Sequence, residues 1–343
     1  MSHWLSWRVV QATLLSLGLV TLVGLLYQVG PMRIYMQAAE IGLAGIGMIL
    51  LPSTVMYFLD CAGWRMALGA QASAVSFFRL FIIRTAGEVV NATTPTGYVG
   101  GEPVKAYLLA RYGISLVDGL ASVIIGKTTM TIAQVAYIVV GIVLGLWLLL
   151  SPHNLLGGPL VMIAALTSLG LVIFGIMLFV VVQRRGLFTV LFAMLRTCRW
   201  QIAPLEARRE KLFALDQAIG AFYSHAKGAV LLSTAAFLLG WLMGAMEVYL
   251  LLHYLGAPVD LLTALSIDAL STLVKGATFV VPGSVGAQEA GTLMLVTAYG
   301  HDEVVGMTVA LLRRLRELVW IAIGIVCLVL LGSGASSTEE ASN

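Results

Sequence analysis

The sequence predicts an all-α protein that crosses a lipid bilayer several times, and three observations carry the prediction. Of the 343 residues, 59% are hydrophobic and 11% charged, where a soluble domain has about 25% charged residues. The mean hydropathy of +0.96 agrees, and a soluble fold this apolar could not cover its surface with polar groups. Apolar runs close to the roughly 20 residues that span hydrocarbon recur along the chain. They are continuous, whereas a transmembrane β-barrel would alternate over strands of about 10 residues.

The first run, Val9–Val29, is longer than the roughly 7–15 apolar residues of a signal peptide and is read as a retained span. A turn around Pro31 and Arg33 leads to a second run, Ala38–Leu59. That run ends in Asp60, Gly63, Trp64 and Arg65, which reads as an interfacial aromatic beside charge. Phe77–Val90 is apolar but holds Arg79, Arg84 and Glu88, and Asn91–Pro103 is rich in Gly, Thr and Pro. Lys105–Arg111 starts a short helix. Asp118–Leu150 is apolar apart from Lys127. With a helical rise of about 1.5 Å per residue it exceeds the hydrocarbon core, so it is expected to tilt or to break near Lys127. Leu160–Val182 is a clean span.

Arg184–Lys227 is the one long polar segment, with eight basic and three acidic residues. The positive-inside rule places it in the cytoplasm, together with the N-terminus, and its amphipathic parts suit a membrane surface. Gly228–Leu252 is a span containing Glu247. Leu261–Val281 carries Asp268 and Lys275, and a short apolar piece, Thr292–Tyr299, follows. Val304–Leu331 is interrupted by Arg313, Arg314, Arg316 and Glu317. The expectation is one membrane domain over residues 1–332 with six or more full spans and two re-entrant elements. Its first half covers roughly residues 38–183, its connector 184–227 and its second half 228–332. A disordered polar tail covers 333–343.

Two segments match in pattern, Thr94–Glu102 and Val281–Glu289. Each has a Pro, a Gly-rich stretch and a Glu at the same distance after the Pro (102 − 95 and 289 − 282, both seven). Pro95, Gly97, Gly100 and Gly101, and likewise Pro282, Gly283 and Gly286, are expected to break a helix. Broken backbone at membrane depth is tolerated only within protein or beside a water-filled cavity. Paired interruptions in two halves point to a transporter's binding site, where half-helix N-termini favour an anion.

Ionisable residues inside apolar runs face a bundle interior or a cavity. The candidates are Arg84, Glu88, Lys127, Glu247, Asp268, Lys275, Glu289, Arg313, Arg314 and Glu317. Arg79, Arg111 and Arg316 are read as snorkelling to an interface. Lys127 and Lys275 sit deeper and call for a cavity or an ion pair, with Glu102 and Glu289 as partners. Several bases around one cavity suit an anionic headgroup. The carboxylates either pair with those bases at rest or titrate and couple transport to protons. Cys61, Cys198 and Cys327 are isolated and the five histidines lack paired spacing, so neither a metal nor a cofactor is expected. Nothing in the small net charge of +3 suggests nucleic acid.

The stretch Arg84-x3-Glu88-x2-Asn91-x3-Pro95-x4-Gly100-Gly101-Glu102-Pro103-x-Lys105 resembles the lysylphosphatidylglycerol synthase transmembrane-region family. This is also called the flippase-like family and includes hopanoid-associated membrane proteins. Gly63-Trp64-Arg65, Pro282-Gly283-x2-Gly286-x2-Glu289 and the Arg313/Arg314 region fit as well, so the resemblance covers roughly residues 10–330. It implies movement of a lipid between leaflets and adds Asn91 and Lys105 to the transport residues. In bifunctional members a soluble aminoacyltransferase domain makes the lipid. Here only Gly332–Asn343 follows Leu331, so the expectation is a transporter, not an enzyme.

The expected function is translocation of an anionic or amphiphilic lipid (a glycerolipid, polyprenyl lipid or hopanoid) in a prokaryotic cytoplasmic membrane. Arg84, Lys127, Lys275, Arg313 and Arg314 attract the headgroup, and Glu88, Glu102 and Glu289 set the resting ion pairs. The partner is the lipid itself, with lipid-synthesis enzymes and a second copy of the chain admitted as protein partners. The rival readings are a small-solute secondary transporter and a non-transporting scaffold of a lipid-synthesis complex. HExxH, GxSxG and paired aspartates are lacking, which disfavours an intramembrane enzyme.

Overall fold

The computed structural model describes residues 2–40, 42–93, 100–149, 186–197, 208–278 and 281–340, with Gly170, Gly175 and Glu206 besides. Among them the regular elements are all helices. We number the helices α1 (Ser2–Val29), α2 (Pro31–Glu40), α3 (Gly42–Ala67), α4 (Phe77–Thr93), α5 (Gly101–Ala110) and α6 (Leu116–Leu149). After these come α7 (Leu187–Thr197), α8 (Arg209–His225), α9 (Lys227–Tyr254), α10 (Leu261–Ala277), α11 (Ala287–Ala298) and α12 (Glu303–Glu340).

Three described helices are long and apolar enough to cross a bilayer: Gly45–Ala67, Leu116–Leu148 and Lys227–Tyr254. A fourth counts if α1 and α2, bent by 78° at Gly30, are one span. This is fewer than the six or more expected. Apart from Gly170 and Gly175, the run 160–182 lies outside the described residues, and four charges between Arg313 and Glu317 interrupt the apolar run of α12. A third or less of each long span is buried. Leu51, Val140, Trp147, Leu231 and Leu232 point outward, as side chains facing lipid do.

Several boundaries correct the sequence reading. α3 continues through Asp60 and Arg65, and Trp64 is buried, its indole N–H donating to Ser122 Oγ at 3.3 Å instead of lying at an interface. For α6 one of the two expected alternatives holds, with no break near Lys127: the helix runs on for 34 residues, a length of about 51 Å from the rise per residue of an α-helix. α12 runs unbroken through its charges and continues to Glu340.

α4 and α5 fold back on each other. The Gly101 N–H reaches Asn91, Lys105 reaches Glu88, and Arg79 stands over the Tyr112 ring at 5.5 Å. α10 and α11 make a second such hairpin, in which Ser266 meets Tyr299 at 2.6 Å and Gly291 lies against Val274. At 17 residues each, α4 and α10 are about 26 Å long, short of a hydrocarbon core of about 30 Å.

α3 and α9 pair along their lengths and run antiparallel: Ser233 donates to the Gly63 carbonyl at 2.9 Å, while Tyr254 donates to Met48 at 3.2 Å. The hairpins then pack across. α4 lies on α12, where Gly324 closes against Val89, and α10 lies on α6, where Gly141 closes against Ala269.

Candidate functional site

In the first hairpin the charges converge at its tip. Glu102 of α5 lies 3.1 Å from Lys105 Nζ and 3.5 Å from Lys127 Nζ of α6. Lys105 also donates to Glu88 of α4 at 2.6 Å. Asn91 ties the acids together: its Nδ2 donates to Glu102 at 3.1 Å and to Glu88 at 3.4 Å. Its Oδ1 accepts the Gly101 N–H at 2.7 Å, satisfying one of the open donors at the start of α5. A Cβ on Gly87 would run into Lys105, and one on Gly101 into the Gly87 carbonyl. Gly101 therefore serves close packing as the first residue of a helix, where the sequence suggests a helix break. Gly100 stands just before that helix with helical backbone angles, while Pro95 and Gly97 lie outside the described residues.

Beside this cluster Arg84 donates to Asp60 of α3 at 2.6 Å and stands over the Tyr57 ring at 5.2 Å. Arg84 is buried, and its Nη1 makes no hydrogen bond. The cluster opens into a cleft of about 330 Å³, mouth included. Its lining includes charged side chains (Arg84, Glu88, Glu102, Lys105, Lys127) and apolar ones (Trp64, Val123, Met130, Phe237). Lys127 is its most accessible charge, with 41% of its side chain exposed.

The second hairpin turns through Val281–Gly286. Gly283 (φ +63°) and Gly286 (φ +80°) occupy the left-handed region that glycine enters without a Cβ penalty. Pro282 opens a short 3-10 turn there. Glu289 accepts the Gly286 N–H at 2.7 Å, closing the first turn of α11 as the acid of a capping box does. Arg314 of α12 donates to Glu289 and Glu317, each at 2.7 Å, and to the Gly283 carbonyl at 3.1 Å. Glu317 also accepts from Lys275 of α10 at 2.7 Å and from the Gln288 amide at 3.3 Å. Arg313 donates to Asp268 at 2.5 Å, and Asp268 also accepts from the Tyr137 hydroxyl of α6 at 2.8 Å. Arg316 pairs with Glu247 of α9.

One constant offset in residue number relates the two clusters. It connects Glu102 to Glu289, Lys127 to Arg314, Glu88 to Lys275 and Asp60 to Glu247 (289 − 102 = 314 − 127 = 275 − 88 = 247 − 60). The first residues of α6 and α12 and the last residues of α3 and α9 stand equally far apart (303 − 116 and 254 − 67). Two of these relations carry an interaction. The acid at the start of each hairpin's second helix holds a base equally far along the chain (127 − 102 = 314 − 289), as Glu102–Lys127 and as Glu289–Arg314.

Of the residues predicted for transport, Glu88, Asn91, Glu102, Lys105 and Lys127 meet in the first cluster, with Arg84 beside it. Lys275, Glu289 and Arg314 meet in the second, with Arg313 beside it. Lys127 has the expected partner, Glu102. Lys275 does not: Glu317 holds it, because Glu289 is engaged by Arg314. Arg316 does not snorkel as expected, for its side chain is 11% exposed and held by Glu247. Asp60 reads as interfacial in the sequence and is buried on Arg84. Its signal in the sequence is the same offset, which pairs it with Glu247. Among the described residues no three His, Cys, Asp or Glu side chains come together as a metal site requires.

Residues 9–324 match the profile of a family described as the lysylphosphatidylglycerol synthase TM region. A protein of Methanothermobacter thermautotrophicus described as a UPF0104 membrane protein is 23% identical over 330 residues, covering 95% of this chain and 96% of that one. No solved structure matches.

Proposed function

The chain belongs to the family of the lysylphosphatidylglycerol synthase transmembrane region, and from that premise we propose that it moves a lipid with an anionic or amphiphilic headgroup between the leaflets of its membrane. The observation that carries the reading is the cleft of the first hairpin, which is lined by bases and apolar side chains together. A headgroup phosphate is met by the unpartnered Nη1 of Arg84 and by Lys127. Guanidinium suits its oxygens bidentately and ammonium as a point charge. The lipid body follows Trp64, Met130 and Phe237. Until the headgroup arrives, Glu88 and Glu102 hold the bases, so no bare cation stands at membrane depth. The role is transport, with no chemistry on the lipid.

In this reading the two hairpins are re-entrant and the halves on either side of 184–227 are related by inversion. The constant offset in residue number, the antiparallel α3–α9 pair and the reciprocal packing of α4 on α12 and α10 on α6 support it. The membrane is a prokaryotic cytoplasmic membrane with the basic segment inside, a side supported by its eight basic residues. Lipid-synthesis enzymes are the protein partners this role admits.

The test is leaflet exchange in liposomes containing the purified protein. It uses tail-labelled phosphatidylglycerol, phosphatidylserine, phosphatidylethanolamine and phosphatidylcholine, read by dithionite quenching. Rapid exchange of some headgroups, reduced at least tenfold in folded Glu102→Gln and Glu289→Gln proteins, is the expected result. Unchanged exchange in both variants would defeat the site assignment. No exchange of any lipid by folded protein would favour small-solute transport or a scaffold.

A further inference from the structure

Beyond the two clusters at the hairpin tips lies a buried acid that the transport reading does not use. Glu247 of α9 is wholly buried. Arg316 holds one of its oxygens, and the other, Oε1, has no hydrogen-bond partner. The charged groups facing it are Arg316, Arg313 and Glu317 of α12 and Asp268 of α10. From α6, Tyr137 satisfies Asp268. From α3, Asp60 lies against Gly240, two turns before Glu247 on α9.

Arg316 has a second acid within reach. Its Nη2 is 3.9 Å from Glu317 Oε1, the carboxylate that also takes Lys275, Arg314 and Gln288. Glu317 thus joins the hairpin-tip cluster to the buried Glu247 through one guanidinium. Taken together, the group holds four bases (Lys275, Arg313, Arg314, Arg316) and four acids (Glu247, Asp268, Glu289, Glu317), and it is electrically neutral. A phosphodiester entering it brings one negative charge that a low-dielectric interior does not tolerate uncompensated.

We propose that Glu247 is a proton-carrying site that couples headgroup occupancy of the second cluster to uptake of one proton. The inference rests on the lipid-transport reading. When a headgroup phosphate takes Lys275 and Arg314, Glu317 loses both partners and draws Arg316 across the 3.9 Å gap. Glu247 is then a carboxylate without its ion-pair partner in a dry interior, where Arg313 is engaged by Asp268, and it takes one proton from the aqueous phase to become a carboxylic acid. The phosphate's added charge and the proton cancel. Departure of the headgroup returns Arg316 to Glu247 and releases the proton. Lipid movement is thereby electroneutral, and its direction follows the proton gradient.

The experiment uses the full chain in liposomes with the labelled lipid that exchanges fastest in the panel above. A pH difference is imposed across the membrane and the leaflet ratio is read at steady state. With the native sequence the ratio shifts with the gradient, by up to about tenfold per pH unit, the limit for one proton per lipid. Glu247→Gln, which mimics the protonated acid, continues to exchange lipid with a ratio that ignores the gradient. If Glu247→Gln exchanges nothing, Glu247→Gln/Arg316→Gln decides. Exchange that ignores the gradient supports the proposal, and a retained gradient response or no exchange by folded protein overturns it. A native protein that exchanges lipid indifferently to the gradient, or a Glu247→Gln protein that still follows it, also overturns the proposal. Absence of exchange by the native protein removes the transport reading and this inference with it.

Discussion

The two hairpin tips solve one electrostatic problem with different charges. Both hold two acids and two bases, and both link a helix-start Glu to a base at the same spacing along the chain. At the equivalent positions Glu88 and Lys275, however, the sign is reversed. The balancing charge comes from α5 as Lys105 in the first cluster and from α12 as Glu317 in the second. What the clusters share is neutrality and the Glu–base link, not a particular charge at each place. They differ in openness too. Lys127 has one acid partner and an exposed flank, while Arg314 is held by two acids and a carbonyl. Lys127 is thus the more exposed of the two bases and Arg314 the more tightly held.

The largest expected effect tests neutrality. Lys105→Glu surrounds Lys127 with three acids, and removing a base from a buried pair costs about 3–5 kcal/mol. This variant is expected to fail to purify as a monodisperse species. Glu88→Lys/Lys105→Glu, which restores the balance, is expected to recover most of the folded yield on gel filtration. A double variant no better than the single would show that local geometry, not neutrality, is what the clusters share.

The contrast in openness is tested by Arg314→Met against Lys127→Met. Arg314→Met leaves Glu289 and Glu317 short of a partner and is expected to lose about 3–5 kcal/mol, read as a drop in melting temperature. Helix crossings come next. Gly324→Ala and Gly141→Ala push a methyl into Val89 and Ala269, each costing about 1–3 kcal/mol. Comparable losses of melting temperature would support equivalent crossings, and a tolerant Gly141 would break the equivalence. The smallest stability change belongs to Lys127→Met, under about 1 kcal/mol, because the lysine's own side chain is exposed and Glu102 keeps Lys105 as a partner. Lipid exchange in that variant is expected to fall at least tenfold all the same. A large loss of stability there would place Lys127 among the structural charges.

Much of this is legible in the chain. The long apolar runs with isolated charges mark the spans, because an unbroken α-helix satisfies its own backbone and needs only apolar side chains outside. The equal Pro-to-Glu spacing points to Glu102 and Glu289 without any knowledge of contacts. Partner choice is not legible. Glu289 is closer to Lys275 in sequence than Glu317 is, yet Lys275 takes Glu317, because Arg314 occupies the nearer acid. Asp60 and Trp64 end an apolar run and read as interfacial, since composition cannot tell a side chain at a lipid boundary from one packed against another helix.

The sequence by itself determined that the protein is a membrane-embedded helical bundle and that charges at repeated spacing lie within it. Both follow from local properties: hydropathy along a helix and the turn chemistry of Pro and Gly. Only the tertiary structure decided which acid neutralises which base, that one tip opens into a cleft, and that Glu247 stands behind a shared arginine. Ion pairing at membrane depth depends on distances of a few ångströms between residues far apart in sequence. Those distances are set by how α3, α4, α6, α9, α10 and α12 cross.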